Sequence, residues 1–555
     1  MPMRKTPGAT QAPINVVGSS VFGRYAKISS ERTYNCFISD QWLVNFAGYQ
    51  KALQLLPQGV GRGLYRSVRG GFILMVVNSE IYQINEDLSA SLIGSISSSF
   101  GDVYMDENLN NQICIVDGIN AYIYNYSLPI SIGLTVQTLQ AGLVPSYVCY
   151  HNTYFLIGNA STANTGALWY VYTPVNQAGP PSNPRLIYLF AQLALQTKPD
   201  TAIAIRRLPG QGNNVLVFGR TVCEIFTNIA SQITVGTPTP PYIRNSTISV
   251  DYGCISVATI AASDEFVAWL GVNESNGPVI IIYTGQGAEA ISTDGIDYIL
   301  GQLNYPEQST ALFFRQDGHL FYQLTFYNPA DNLTLVYDFT TKQFFDLTDW
   351  NLNYHPATSA VYFNDRSYFC SLNDASLYEF SSNFTTYNDN LASAVYDPAL
   401  DHEIPRIRIC KSVRAENSQR FIANSLVVMI EQGQDPRFVG LNLDTTDYII
   451  TEIIEDNVID EDGANYLVTE QSGSSNAFSY NAANPLIYRP RVDLSLSYDG
   501  GTTYGTWVAR YLNPQGYRRN ILTWEKMGAA NDLILKFRFV GTGRVVVQNG
   551  TLDIY

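Results

Sequence analysis

One arrangement recurs seven times along the chain: an apolar strand, a short polar turn, then a second strand ending in aromatics. The copies are FILMVVNSEIYQIN (72–85), QICIVDGINAYIYN (112–125), TYFLIGN with ALWYVYT (153–173) and NVLVFGRTVCEIFTN (214–228). FVAWLGVN with VIIIYTG (266–285), HLFYQLTFYNPADNLTLVYDFTTKQFFDL (319–347) and SYFCSLNDASLYEF (367–380) complete the series. Their spacing, roughly 40 to 60 residues, is that of propeller blades. A lone hairpin cannot bury both of its faces, whereas sheets stacked around an axis bury each face against a neighbour. A β-sandwich with regularly spaced hairpins is the competing reading, but sandwiches usually run out of strands sooner. The expectation is an all-β protein whose residues 41–395 form a β-propeller of about six to eight blades.

The composition agrees. Thirty-eight Tyr and 26 Phe, alongside many Val, Ile and Thr, favour strands over helices. A chain of 555 residues exceeds one ordinary core. Seven cysteines are present, an odd number without a CxxC pair, and most sit inside apolar strand runs. They read as buried free thiols of a protein made in a reducing cytoplasm. The opening MPMRKTPGATQAP lacks the apolar core of a secretory signal. No apolar run approaches the length of a membrane span. Forty-eight Asp plus Glu against 33 Lys plus Arg give a net charge of −15. Such a surface repels the phosphate backbone and argues against sequence-reading DNA binding, while leaving passive contact with passing DNA open.

Outside the repeats the texture changes. Residues 1–40 read as an N-terminal arm, rich in Gly, Pro and Ser over 1–24. After a Pro-containing link at 396–412, the alternating segments NSLVVMIEQG (424–433), DLSLSYDG (493–500), LILKFRFVG (533–541) and VVVQNGTLDIY (545–555) predict a C-terminal antiparallel β-sandwich over 396–555. Within it, 441–488 is an acidic insertion, with no Lys or Arg between Arg437 and Arg489. Asp460, Glu461 and Asp462 lack EF-hand spacing, so the insertion reads as a solvated loop or strand pair rather than a calcium site.

One short string raises the possibility of an enzyme. SYDGGTTY places Ser497, Asp499, Gly501, Thr503 and Tyr504 in the Asp-box pattern of sialidase-type propellers. Asp-Gly-Gly between alternating strands is also a strong hairpin signal, because Gly reaches positive φ freely and a short Asp or Ser side chain bonds the turn's own amides. A sialidase should add repeated Asp-boxes and an arginine cluster opened by an early R-I-P-like string. Here one clear Asp-box lies outside the repeats, and the nearest such string, Ile404-Pro405-Arg406, lies at the link. His151, His319, His355 and His402 show no metal-ligand spacing, and neither a GxSxG elbow nor a P-loop occurs. We therefore expect no catalytic residues, no metal and no cofactor, with SYDGGTTY a structural hairpin. Core packing is the expectation for most of Trp42, Trp169, Trp269, Trp350, Trp507 and Trp524.

Several blocks share their order with one family. NVLVFGRTVCEIF (214–226), DYGCISVATIAASDEFVAWLGVNESNGPVIIIYTGQGAEAISTDGIDYIL (251–300), and LSYDGGTTYG followed by ILTWEKMGAANDLILKFRFVG resemble the packaged-DNA-stabilisation proteins of short-tailed phages. These form the tail hub or nozzle. The resemblance implies a structural virion protein, assembled with itself as a ring of about six copies. Its implied partners are the portal-adaptor (head-to-tail connector) protein, a tail needle or tip, a tailspike or fibre, and genomic DNA passing without sequence specificity. It implies retention of packaged DNA and its conduction at ejection, and it brings no catalytic residues. The alternatives are a sialidase-like propeller glycosidase and a non-catalytic receptor-binding propeller, the latter marked by exposed Trp and Tyr in one pocket.

Overall fold

In the computed structural model the described residues are 10–23, 31–163, 165–174, 187–229, 240–272, 277–415, 419–432, 490–512, 519–541 and 543–555. The acidic insertion at 441–488 lies outside them. The chain divides into two units, one of residues 19–32 and 47–402, the other of 1–18, 33–46 and 403–555.

The larger unit is a propeller, and each recurring hairpin supplies the middle strands of a blade. Six blades are built from consecutive strands: 61–95, 104–137, 145–194, 204–250, 253–290 and 309–346. The seventh combines Ala357–Phe363, Arg366–Ser371 and Ser376–Ser381 with Gly48–Gln54, a strand from the other end of the unit. The middle strands of the repeats run apolar because both of their faces are covered by neighbouring blades. All six residues of Phe72–Val77 and all eight of His319–Phe326 are buried. Phe72, Leu74 and Val76 of the first blade pack with Tyr122 and Tyr124 of the second. On the other face, Ile73, Met75 and Val77 pack with Phe363, Tyr368 and Leu377 of the seventh, so the ring closes on itself.

Polar groups also link neighbouring blades. Buried Asp106 accepts from the Tyr150 amide at 2.7 Å and the Tyr65 hydroxyl at 3.2 Å, joining blades on both sides of its own. Arg62 donates to the carbonyls of Asn78, Ser98, Phe100 and Gly101. All seven cysteines are buried and unpaired with one another. Burial pushes the Cys149 and Cys254 thiols up to about 12, so they stay neutral and unreactive near pH 7.

The smaller unit packs two sheets over one core. The first runs in the order Thr10–Ile14, Gly550–Ile554, Phe421–Gln432, Val545–Val547, Trp42–Asn45, Cys36–Ser39, with Arg519–Ala530 along the far side of Phe421–Gln432. The second carries Arg406–Ile409, Ile534–Val540, Arg491–Ser497 and Val508–Tyr511. Leu426, Val428 and Ile430 of the first meet Val492, Leu494, Phe537 and Phe539 of the second. Two arginines are fully buried at this core, Arg406 donating to the Gly541 and Gly543 carbonyls and Arg408 to those of Val16 and Asn15.

The expected arm needs correction. Thr10–Ile14 pairs along its whole length with Gly550–Ile554, while Ile14 and Val16 enter the core. Without that partner, Gly550–Ile554 would present an open row of amides and carbonyls. Pro13 is tolerated there because Thr10–Ile14 is itself an edge strand.

Candidate functional sites

The Asp-box-like residues close the hairpin between Arg491–Ser497 and Val508–Tyr511. Gly500 and Gly501 take φ of 74° and 87°, which residues with a Cβ rarely adopt. Ser497 Oγ accepts from the Gly501 amide at 2.9 Å and donates to Asp499 Oδ1 at 2.7 Å. Asp499 also accepts from the Thr503 amide at 2.9 Å and the Thr503 hydroxyl at 2.6 Å. The Thr503 and Ser497 bonds hold the exposed Asp499 carboxyl well below the usual carboxylate range, so it has no proton to give near neutrality. Beyond the turn, Lys536 lies 4.9 Å from the Tyr504 ring, and Arg538 4.6 Å from the Trp507 ring.

The four histidines are dispersed through the propeller. His151 meets the Tyr242 hydroxyl at 2.8 Å and the Gly212 carbonyl at 3.0 Å, and His319 meets Asp338 at 2.9 Å. His355 is buried among the rings of Tyr49, Phe369 and Tyr387, and burial lowers it to about 3. Among the described residues no three His, Cys, Asp or Glu side chains converge as a metal site would require. No helix among them is long and apolar enough to cross a membrane.

A cluster of ionisable groups forms where the propeller closes. Lys51 of the closing strand pairs with Asp374 at 3.1 Å. The Tyr378 hydroxyl lies 2.9 Å from Asp374 and 3.1 Å from Asp389, its one proton shared between the two carboxyls. His402 lies 3.9 Å from Asp389, and its ring stacks on Trp350 with centroids 4.1 Å apart. The paired carboxylates around a tyrosine invite comparison with a glycosidase. Burial, then the two acids, drive the Tyr378 hydroxyl far above its ordinary pKa, so it remains a protonated donor and a poor nucleophile. Burial also raises Asp389, opposed by Lys51. The cluster is chemically suited to fastening strands together. No periodicity announces it, since its members come from 51, 350, 374–378 and 389–402 and meet only through the fold.

Trp169, Trp269 and Trp524 are buried, but Trp350 is 43% and Trp507 37% exposed. Trp350 belongs to the larger unit and Trp507 to the smaller.

Residues 31–383 match the phage-stabilisation family described as bacteriophage P22 Gp10, β-propeller. The chain belongs to that family. Membership makes it a phage structural propeller and a virion component, and the match contains all seven blade sheets. The Asp-box-like hairpin lies outside the matched residues. No curated protein matches. Solved structures with a similar fold include a streptogramin B lyase, 12% identical with a TM-score of 0.37, over 62% of this chain and 99% of that one. A catalytically inactive virginiamycin B lyase from Staphylococcus aureus with quinupristin is 11% identical, TM-score 0.39, over 60% and 98%. The WD40 propeller domain of Doa1 is 10% identical, TM-score 0.36, over 60% and 97%. Likenesses this slight carry no argument about activity.

Proposed function

We propose that this phage-stabilisation propeller is the tail hub, or nozzle, of a short-tailed particle. Copies assemble as a ring beneath the portal-adaptor protein, carry a needle or tip below and spikes or fibres at the side. They hold packaged DNA in and conduct it out at infection. The observation that carries this reading is the family match over residues 31–383. Two features support it. The middle strands of the blades are buried between neighbours and the ring is fastened by a borrowed strand, a build that resists load without needing chemistry. The propeller residues are also acidic, 29 Asp plus Glu against 16 Lys plus Arg, so DNA passing them gains little from counterion release. The Asp-box-like turn serves as a hairpin lock.

The test is immunogold labelling of purified particles with an antibody to this chain, together with a knockout. Label at a single vertex, with knockout heads that fill and then lose DNA, is the expected result. Label spread over the head, or knockout particles that keep their DNA, would sink the hub assignment.

A further inference from the structure

Two surfaces of shared apolar character stand out, one bearing carboxylates and one bearing arginines, each carrying one of the exposed tryptophans. On the propeller, every residue from Ala392 to Leu400 is exposed, although the stretch is ASAVYDPAL; Val395 is 94%, Tyr396 50% and Leu400 41% accessible. The loop is nonetheless held in place. Asn390 and Asp397 exchange bonds of 2.6 and 2.9 Å, Asp397 accepts from the Ala399 amide, and Tyr396 donates to Asp401 at 2.7 Å. Beside it, Trp350 stacks on His402. The loop carries Asp397, with Asp401 directly after it, and Lys51 lies beside Asp374 and Asp389. A fixed loop whose apolar side chains all face solvent gains nothing from burial within its own chain, which is the mark of an interaction surface.

On the smaller unit are Val508–Tyr511, paired with Arg491–Ser497, and Arg519–Ala530, paired with Phe421–Gln432. They lie beside each other, since Arg510 donates to the Thr523 carbonyl at 2.8 Å and Trp524 to that of Val508 at 3.0 Å. Here Trp507, Val508, Tyr511 and Ile521 are exposed, Ile521 at 62%. Arg510 lies among them, Arg519 is paired with Glu431 at 3.1 Å, and Arg538, paired with Asp493 at 2.6 Å, lies 4.6 Å from the Trp507 ring.

We propose that these surfaces meet between copies, the 392–400 loop with Trp350 of one chain seating on the Trp507–Tyr511 and Arg519–Thr523 edge of the next. Arg510, which among the described residues bonds only backbone carbonyls of its own chain, meets the carboxylates of Asp397 and Asp401, and the apolar residues of each side cover those of the other. A contact between two different patches of the same chain is head-to-tail, and it propagates into a ring when the rotation closes. The inference rests on the self-assembly part of the proposed function and names the surfaces that would carry it.

The experiment uses Val395→Cys and Ile521→Cys, singly and together, incorporated into particles and treated with a bis-maleimide linker. All seven native cysteines are buried, so the new thiols react selectively. Both positions are solvent-facing, and an unchanged melting temperature of the free chain checks the fold. The double variant is expected to give a ladder of linked copies under denaturing conditions, which each single variant lacks. A second arm, Asp397→Lys with Asp401→Lys, is expected to lower incorporation several-fold, recovered in part by Arg510→Glu with Arg519→Glu. Particles holding several neighbouring copies but giving no ladder would overturn this contact and leave the ring reading standing. Particles holding a single copy would overturn both.

Discussion

His355 shows how one buried side chain sets the acid tolerance of the propeller. Its folded pKa, about 3, lies below the ordinary imidazole value of 6.5 because burial penalises the imidazolium. Above pH 6.5 nothing is lost; as pH falls below that value the unfolded chain takes up the proton first and the folded state is disfavoured. At pH 5 the loss is about 2 kcal/mol. Denaturant unfolding at pH 7 and pH 5 should show that gap, and His355→Phe should narrow it. An unchanged gap in the variant would mean that other groups carry the acid sensitivity. His355 precedes a strand in the sequence and offers no local sign of its burial among Tyr49, Phe369 and Tyr387, rings contributed from distant positions. The Asp-box-like turn is the opposite case. Ser497, Asp499 and Thr503 bond within a few residues of one another, so their arrangement was legible from the string alone.

At the scale of elements, the closing strand decides whether seven sheets make a ring. Gly48 approaches so closely that a Cβ there would sit 2.0 Å from the Thr386 carbonyl oxygen. Gly48→Val should therefore unseat the strand, and hydrogen exchange should show lost protection across Ser376–Ser381 while the third and fourth blades stay protected. Retained protection would mean that the seam tolerates strain. Tyr378→Phe removes a hydroxyl bonded to two carboxylates and should cost about 1–3 kcal/mol, read from the shift in denaturant midpoint. The seven hairpins were legible because each is local and its residues alternate or run apolar within a dozen positions. The seam was not, because GYQKALQ carries no strong strand pattern and finds its partners only in space. The same reason hid Thr10–Ile14, which gains its identity as a strand from Gly550–Ile554 at the far end of the chain.

For the whole molecule, the balance of charge is the property that bears on DNA. The full chain at −15 should give no electrophoretic shift of double-stranded DNA at about 0.15 M salt, and lowering the salt, which unscreens the repulsion, should not produce one. A tight complex at physiological salt would contradict passage without sticking. The borrowed strand also bears on how the molecule is made. Gln54 pairs with Ser376, 322 positions later. At bacterial synthesis rates of about 5–20 residues per second, the finished strand waits on the order of 15–60 s for its partner. Throughout that interval six blades accumulate with an open gap between first and last. The polar pattern of GYQKALQ, with Lys51 at its centre, makes it a poor template for stray pairing while it waits. The ring is thus sealed last by a piece that leaves the ribosome before any of the blades.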